Sequence, residues 1–314
     1  MFIVDMHCDT IWKLFYDYRN GIANSLYQNK YHIDIKKLYK SNYLIQNFAI
    51  FTDLKEVSDR YDHVNGSIAC FYEEMERHKE FIQPIYTYQD IEKCKEEGKV
   101  GALLTLEEGD VVFDSIDTLE EYYELGVRMI ALTWNHPNSI GYPGCYEKDL
   151  GLTEFGIAYI KEMERLGMMI DVSHLSDAGF KDVFKYTTKP IVASHSNARS
   201  VCDVSRNLTD EQIRCIDQRG GVIGINFYGP FLQKDQMNSR VEDMVKHIQY
   251  IRDIGSIDVI GLGSDFDGIE GKLELRNAGY MYLLLDALKE AGFSEEDIDK
   301  ITSKNVLRVY QQFL

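Results

Sequence analysis

The stretch MMIDVSH (residues 168–174) is followed by an amphipathic segment at 177–187 and by a second apolar run, PIVASH (190–195). Both runs are continuously apolar rather than alternating, which is typical of parallel strands buried on both faces. A strand pattern, a helix pattern and another strand pattern in succession predict a β–α–β unit. Both runs also end on a histidine, so a polar site is expected where the two strands end.

The same pattern continues along the chain in both directions. Six further apolar runs predict strands at FIVDMH (2–7), LIQNFAIF (44–51), VGALLTLE (100–107), VRMIALTW (127–134), GVIGINFY (221–228) and VIGLGSDF (259–266). Helix patterns lie between and after the runs at 56–80, 116–124, 153–166, 208–218, 241–254, 277–291 and 295–312. Eight such units predict a closed (β/α)8 barrel of the TIM type, and a doubly wound open sheet is the alternative.

The length of the chain suits one barrel. Barrels of this type fill roughly 250 residues before insertions, so the 314 residues predict a single domain over 1–314. Residues 12–43, after the first predicted strand, form an insertion that we expect to help cover the mouth of the barrel. Thr209, followed three residues later by Gln212, resembles a capping box at a helix start.

Charge and composition exclude several classes of partner. The formal net charge of −17 argues against nucleic acid and anionic membranes, because phosphate binding requires Lys and Arg. The N-terminal MFIVDMHCDT has no basic region before an apolar one, and no run approaches the ~20 apolar residues of a membrane span. The six cysteines lack CxxC spacing and are expected to be free thiols. We therefore expect a cytoplasmic protein.

Three of the eight histidines lie at predicted strand ends: His7, His174 and His195. The active sites of TIM barrels are built at the carboxyl ends of the strands. A lone histidine at such a place is more often a hydrogen-bonded core residue than a ligand. Three of them, accompanied by strand-end carboxylates, indicate metal binding.

The strand-end carboxylates are Asp9, Glu107 and Asp265. His7 and Asp9 are two residues apart, so an extended strand places both on one face. Imidazole and carboxylate together suit Zn²⁺ and similar first-row metals. Five of these six residues as ligands would exceed the three of a mononuclear catalytic zinc site, which predicts a two-metal centre bridged by a carboxylate.

Two acidic neighbours of these residues have simpler interpretations. Glu107 or Glu108 can supply the bridge, and Glu108 is expected to face solvent in a loop. Asp267, next to Gly268, fits an Asx turn.

Several segments together resemble the membrane dipeptidase (renal dipeptidase) family, peptidase family M19. They occur in the family's order: HCDTIW, LEEGD, IDVSH, ASHSNARSVCDVSRN, GINFYGPFL and GLGSDFDG, with NVLRV near the end. The opening H-x-D alone is weak evidence, whereas the ordered set is specific. The resemblance implies a bacterial-type cytoplasmic metallo-dipeptidase.

The resemblance also implies a ligand set of two zinc ions that share Glu107. One ion would be held by His7, Asp9 and Glu107, and the other by Glu107, His174 and His195.

Further positions match the family's catalytic and substrate-binding groups. Asp265 corresponds to the acid–base group, and Arg206 to the arginine that binds the substrate carboxylate. Trp12 and Tyr228 match aromatic pocket positions.

One position departs from the family pattern. Mammalian members have a histidine after the fourth strand that polarises the substrate carbonyl, and Trp134 stands at the aligned place here. His136 from the following loop, or Asn135, is the candidate replacement.

The predicted reaction is hydrolysis of dipeptides with a free C-terminal carboxylate. The resemblance further implies tolerance of a D-residue at the C-terminal position and a homodimer. One alternative is another binuclear amidohydrolase, acting on N-acyl amino acids or cyclic amides. Such enzymes usually open with H-x-H and carry a carbamylated lysine on strand four, and VRMIALTW contains no lysine. The other alternative is a non-catalytic ligand-binding barrel.

Overall fold

Nine parallel strands form one sheet in the computed structural model, which describes residues 1–112 and 115–314. In chain order they are β1 (Ile3–Asp5), β2 (Tyr43–Phe51), β3 (Ile82–Pro84), β4 (Val100–Glu107), β5 (Val127–Ala131), β6 (Met169–Asp171), β7 (Val192–Ala193), β8 (Val222–Ile225) and β9 (Ile260–Leu262). All except β3 close into a barrel in which β9 pairs with β1 and β2 pairs with β4. The predicted (β/α)8 barrel is confirmed, and the open sheet is wrong.

Helices surround this barrel. They are α1 (Thr10–Arg19), α2 (Ile35–Lys40), α3 (Arg60–Arg77), α4 (Tyr88–Glu97), α5 (Asp117–Glu124), α6 (Glu154–Leu166), α7 (Asp177–Tyr186), α8 (Asp210–Gln218), α9 (Gly229–Leu232), α10 (Val241–Ile254), α11 (Tyr282–Glu290), α12 (Glu295–Asp299) and α13 (Asn305–Tyr310). The capping box of Thr209 and Gln212 at the start of α8 is confirmed.

Five of these elements were not predicted from the sequence: β3, α1, α2, α4 and the short α9. Strand β3 shares one edge of β4 with β5, since β3 pairs with residues 100–102 and β5 with residues 104–107. A three-residue strand that contains a proline suits such an edge but gives no strand pattern. Helix α4 buries only Ile91 and Cys94 of its ten residues, so its apolar period is weak. Helices α1 and α2 lie in and beside the predicted insertion at 12–43.

Most of the predicted strands are longer than the observed ones. The run at 2–7 forms a ladder only over Ile3–Asp5, and the run at 259–266 only over Ile260–Leu262. The residues after these two ladders keep only single contacts with each other, from the N–H of Asp265 to the carbonyl of His7 at 3.2 Å and from the N–H of Asp9 to the carbonyl of Phe266 at 2.9 Å. These residues carry most of the candidate ligands.

The amino end of the barrel is closed by the C-terminal helix. Tyr310 of α13 is fully buried, and its hydroxyl donates a hydrogen bond of 2.8 Å to Oδ1 of Asn47 on β2. Val306 and Val309 pack in the same apolar cluster as Val4 and Met6. A small molecule therefore reaches the interior from the carboxyl ends of the strands.

All six cysteines are unpaired, as expected. Within the described ranges, no helix has both the length and the apolar character that crossing a bilayer requires. The cytoplasmic location, the homodimer and the single domain with its insertion stay predictions from the sequence.

Candidate active site

Glu107, the last residue of β4, lies at the centre of a cluster of imidazoles. Its Oε1 is 2.9 Å from Nε2 of His174 and 3.5 Å from Nε2 of His195. Its Oε2 is 3.4 Å from Nε2 of His7, which in turn lies 3.4 Å from Oδ2 of Asp9. The two oxygens of one carboxylate therefore face different groups of donors, which is the arrangement that a bridging ligand needs.

The imidazoles of His174 and His195 are held through their other ring nitrogens. Nδ1 of His195 lies 2.7 Å from the hydroxyl of Ser194, and that hydroxyl donates to the carboxylate of Asp171. Nδ1 of His174 lies 3.1 Å from the side-chain oxygen of Asn135. An acceptor at each Nδ1 places the proton there and leaves Nε2 free as a ligand.

Asp5 holds the loops that carry His7 and Asp265 through hydrogen bonds. Its carboxylate accepts hydrogen bonds of 3.3 Å from the backbone N–H of His7 and of 2.9 and 2.6 Å from the N–H and hydroxyl of Ser264. Asp5 is buried, so these bonds replace water around its charge. They connect the ends of β1 and β9.

Several residues at the strand ends have a left-handed backbone. φ is +70° at His174, +61° at Asp265, +111° at Glu108 and +72° at Asp267. Residues other than glycine adopt this region rarely, and such positions concentrate at functional sites. At His174 and Asp265 this backbone places the side chain in the cluster, whereas at Glu108 and Asp267 it places a carboxylate against backbone N–H groups of neighbouring loops.

Burial and the charges of neighbouring side chains shift the pKa values of the ionisable groups in the cluster. Burial and the Glu107 carboxylate raise the pKa of Asp9 to about 7, and burial raises the pKa of Asp265 to about 6. Burial opposes the charged form of His7, but the carboxylates of Glu107 and Asp9 raise the pKa of His7 well above its usual value. Burial also opposes ionisation of Glu107, yet the charge of His7 and the polar contacts with His174 and His195 hold its pKa well below its usual range. A cation at this place would satisfy the same carboxylates without a proton.

The residues present fit divalent cations. Nε2 of His7 and Oδ1 of Asp9 are buried without a hydrogen-bond partner among residues 1–112 and 115–314. Ligand atoms of His7, Glu107 and His195 lie within 4.8 Å of one another, and so do those of His7, Asp9 and Asp265. A mixed nitrogen and oxygen donor set is the one that zinc accepts.

Gly268 keeps space open beside this cluster. A Cβ atom at this position would lie 2.2 Å from Oδ2 of Asp9 and 2.6 Å from Oδ1 of Asp265. A side chain there would push both carboxylates away, so the absence of one preserves their positions.

A cavity of about 490 Å³ opens above the cluster. Arg206, between β7 and α8, lines this cavity although it is only 8% exposed. Its Nη2 lies 3.4 Å from the carbonyl of His195, whereas Nε and Nη1 have no hydrogen-bond partner in the part of the chain that the structure describes. Burial lowers the pKa of Arg206, but a guanidinium remains charged in proteins. A buried cation with free donors, in a cavity, fits an anionic group of a ligand.

The remaining predicted contact residues lie in two environments. Trp12 and Tyr228 line the cavity, and so does Asn135. His136 is not among the lining residues: its Nε2 lies 3.6 Å from Oδ1 of Asp53, and its ring meets Trp134 edge-on at 5.6 Å.

The expectation that Glu108 faces solvent is wrong. Glu108 is buried and accepts hydrogen bonds of 2.9 Å from the N–H of Asp110 and 3.2 Å from the N–H of Trp134, as well as one from the amide of Asn138. Burial raises its pKa to about 7. Glu108 therefore holds the loop after β5 rather than the cluster.

Asp267 is structural as well. It accepts hydrogen bonds of 2.6 Å from the hydroxyl of Thr10 and 2.8 Å from the backbone N–H of His32, which ties the segment after β1 to the segment after β9.

Sequence reasoning missed the residues that support the cluster. Asp5, Asp171 and Ser194 precede the histidines by one to three positions in VDMH, IDVSH and ASH. A carboxylate inside an apolar strand was the available signal for the two aspartates. Asn226, which donates a hydrogen bond of 2.8 Å to Asp265, had no local signal.

Comparisons with known proteins agree with this architecture. The sequence model of "Membrane dipeptidase (Peptidase family M19)" matches residues 1–313. A protein from Klebsiella pneumoniae, described as an uncharacterized protein in the pqqA 5' region, is 40% identical over 230 residues, which is 70% of this chain and 84% of that protein.

Two solved structures are similar over nearly the whole chain. A metallo peptidase from Rhodobacter sphaeroides, solved with a phosphinate mimic of the dipeptide L-Ala-D-Ala, has a TM-score of 0.91 and 22% identity, covering 99% of both chains. A metallo peptidase of family M19, described as dipeptidase AC, has a TM-score of 0.89 and 25% identity, covering 99% of this chain and 98% of that chain.

Proposed function

The chain belongs to the membrane dipeptidase family, M19, and is a metal-dependent peptide-bond hydrolase; we propose that it uses two zinc ions to hydrolyse dipeptides that carry a free C-terminal carboxylate. The position of Glu107 carries this proposal, because each of its oxygens faces a different set of imidazoles.

The proposed ligand sets share Glu107. His7 and Asp9 complete one set, and His174 and His195 complete the other. When bound, two divalent ions polarise the scissile carbonyl and lower the pKa of the attacking water toward neutrality.

Asp265 is the proposed acid–base residue. Its Oδ2 accepts a hydrogen bond from Asn226, while Oδ1 lies 4.0 Å from Nε2 of His7. One oxygen is thus held by the protein, and the other faces the place where the scissile bond would lie. Asp265 takes a proton from the attacking water and passes it to the leaving nitrogen.

Arg206 is proposed to bind the C-terminal carboxylate of the substrate through its free Nε and Nη1. A fork of two charge-assisted hydrogen bonds matches the geometry of a carboxylate. Because Arg206 is buried, a peptide that extended beyond this carboxylate would leave its charge unpaired. Trp12 and Tyr228 would enclose the bound substrate.

We propose that a residue in the loop after β5 helps to polarise the substrate carbonyl by donating a hydrogen bond to its oxygen. Asn135 lines the cavity and touches His174, so it is the better placed donor for a substrate oxygen. His136 supports the cavity wall through Trp134 and Asp53, and we propose that it affects substrate binding through them.

Tolerance of a D-residue at the C-terminal position is part of the proposal. The similar Rhodobacter sphaeroides structure holds a mimic of L-Ala-D-Ala, which supports this stereochemistry by analogy.

A substrate panel on zinc-loaded protein tests the proposal. The panel contains L-Ala-L-Ala, L-Ala-D-Ala, the amide of L-Ala-L-Ala, N-acetyl-alanine and a cyclic amide. Hydrolysis of the two dipeptides is expected, with much slower turnover of the amide and none of N-acetyl-alanine or the cyclic amide. Preference for N-acetyl-alanine or the cyclic amide would favour a different amidohydrolase, and turnover of none of them would contradict an enzymatic role.

A further inference from the structure

Two sides of the active-site cavity differ in charge, and the order of the strands shows that they lie opposite each other. Around the closed barrel the strands follow the order β1, β2, β4, β5, β6, β7, β8, β9. Strand β2 is second and β7 is sixth of eight, so their carboxyl ends face each other across the barrel. Arg206 follows β7. The loop after β2 therefore lies opposite the group that binds the substrate carboxylate.

The loop after β2 is acidic. Asp53 and Glu56 both line the cavity from this loop. Asp53 accepts a hydrogen bond of 2.9 Å from the backbone N–H of Lys55, which fixes the loop, and its side chain remains 20% exposed. The carboxylate of Glu56 is in the exposed part of the same loop. Two negative charges thus stand at the rim, on the side away from Arg206.

An aromatic wall leads from the metal ligands to this rim. Trp12, Phe51 and Trp134 line the cavity after β1, on β2 and after β5. Phe51 meets Trp12 edge-on at 5.4 Å and Trp134 edge-on at 4.8 Å. Trp134 lies 6.4 Å from the ring of His174, so the wall starts beside the cluster.

The aromatic wall and the two carboxylates together fit one kind of substrate side chain. Aromatic rings pack against methylene groups and attract cations to their faces, and Trp12 already holds the ammonium of Lys13 at 4.2 Å from its ring centre. Carboxylates at the far end attract the same charge. A flexible aliphatic side chain that ends in a cation satisfies both parts.

We infer that the aromatic wall and the Asp53–Glu56 rim form the binding site for the side chain of the substrate's N-terminal residue, and that this site selects lysine or arginine there. The inference rests on the proposed function, since it takes the C-terminal carboxylate to lie at Arg206 and the scissile bond to lie over Glu107 and Asp265. The N-terminal residue then extends toward β2.

The experiment compares Lys-Ala with norleucyl-Ala, which has the same aliphatic stem without the charge. Both share the α-ammonium, so the ratio of their kcat/KM values reports the side-chain charge alone. Wild type should favour Lys-Ala roughly tenfold, as a partly exposed ion pair together with a cation–π contact provides. The Asp53→Asn and Glu56→Gln variants should each lower this ratio, and the double variant should bring it close to one.

Glu270→Gln is the matched control. Glu270 also lines the cavity and is exposed, but it follows β9 rather than β2. The Glu270→Gln variant removes the same charge from the mouth of the cavity. If the carboxylates only attract cations in general, the ratio of kcat/KM values should therefore fall equally in all three single variants. The inference requires the Glu270→Gln ratio to stay near the wild-type value. Turnover of norleucyl-Ala by each variant shows that its active site is assembled.

The results distinguish failure of the side-chain site from failure of the proposed function. If dipeptides are hydrolysed but the ratio is near one in wild type, or falls equally in Glu270→Gln, the side-chain site is wrong and the dipeptidase proposal stands. If zinc-loaded wild type hydrolyses neither these substrates nor any other dipeptide, the proposed function fails and the inference fails with it.

Discussion

Asn226 donates a hydrogen bond of 2.8 Å to Oδ2 of Asp265, across the gap between β8 and the end of β9. The bond fixes the carboxylate of Asp265 in one rotamer and leaves its Oδ1 toward the cluster. This arrangement suits a proton shuttle, because Oδ1 is directed to the cluster, where the attacking water would be bound.

Replacing Asp265 with Asn tests the shuttle. An amide cannot accept and return a proton, so kcat should fall by roughly 10²–10⁴-fold. Metal content, measured by elemental analysis, should change far less. Wild-type turnover would remove Asp265 from the mechanism, whereas loss of bound metal would make it a ligand.

Ser194→Ala tests the support of His195. The hydroxyl of Ser194 connects Nδ1 of His195 to Asp171, and its loss leaves the imidazole free to turn or to change tautomer. Removal of such a partner weakens metal binding by roughly 10–100-fold. Zinc competition with a chromogenic chelator measures the change.

Ser196→Ala is the control for this prediction. Ser196 is also buried near β7, but its hydroxyl lies 3.4 Å from that of Ser173 and has no histidine partner in the described residues. If both serine variants bind zinc equally well, the connection to Asp171 has no effect on the metal.

Arg206→Ala tests the basis of dipeptide specificity. Charge-assisted hydrogen bonds contribute ~1.5–3 kcal/mol, so kcat/KM for a dipeptide should fall roughly 10–200-fold. Amidation of the substrate's C-terminus should lower the wild-type value similarly but have little effect on the variant. The two losses should not add, as expected for partners in direct contact.

Arg199→Ala serves as the comparison for Arg206. Arg199 lies in the same loop but is already paired with Asp177 at 2.6 and 2.8 Å. Its variant should keep the wild-type discrimination between carboxylate and amide. Full additivity in the Arg206 cycle would show that Arg206 does not touch the carboxylate.

His247 predicts a pH dependence of stability away from the active site. Its ring is fully buried, with Nδ1 accepting from the N–H of Ala198 at 3.1 Å and Nε2 lying 2.9 Å from the carbonyl of Leu232. Burial lowers its pKa to about 4. The unfolded chain, with a pKa near 6.5, binds the proton more readily, so this contribution is complete above pH 6.5 and is lost as the pH falls toward 4.

The His247→Gln variant measures that contribution. Glutamine can donate and accept in the same place but does not titrate. Between pH 7 and 5 the free energy of unfolding of wild type should decrease by about 2 kcal/mol more than that of the variant. Urea titrations at the two pH values give the comparison, and parallel decreases would show that His247 does not titrate as its contacts predict.

The barrel and the positions of the candidate metal ligands could be predicted from the sequence for one physical reason. Parallel strands present all their carboxyl ends at one face, so His7, His174 and His195 must meet once the strands close. Neither the exact strand length nor the missed β3 affects that convergence.

Several supporting contacts could not be predicted, because they join residues that are far apart in the sequence. Asn226 reaches Asp265 from the end of the neighbouring strand, whereas Phe51 at the end of β2 and Asp53 in the following loop line the cavity without belonging to a motif. Glu108 was misplaced because a loop position usually implies exposure. Its left-handed backbone instead turns its carboxylate inward to unpaired N–H groups.

The central claim is that Glu107 joins two metal sites in a dipeptidase, and stepwise loading of metal-free protein tests it most directly. Zinc is added to chelated protein while bound zinc and L-Ala-D-Ala hydrolysis are measured on the same samples. Activity should rise from near zero to a plateau at about two ions per chain. Glu107→Gln should impair both sites, whereas His174→Ala should mainly weaken one. Full activity in protein freed of metal, or a plateau at one ion that Glu107→Gln leaves unchanged, would contradict the account.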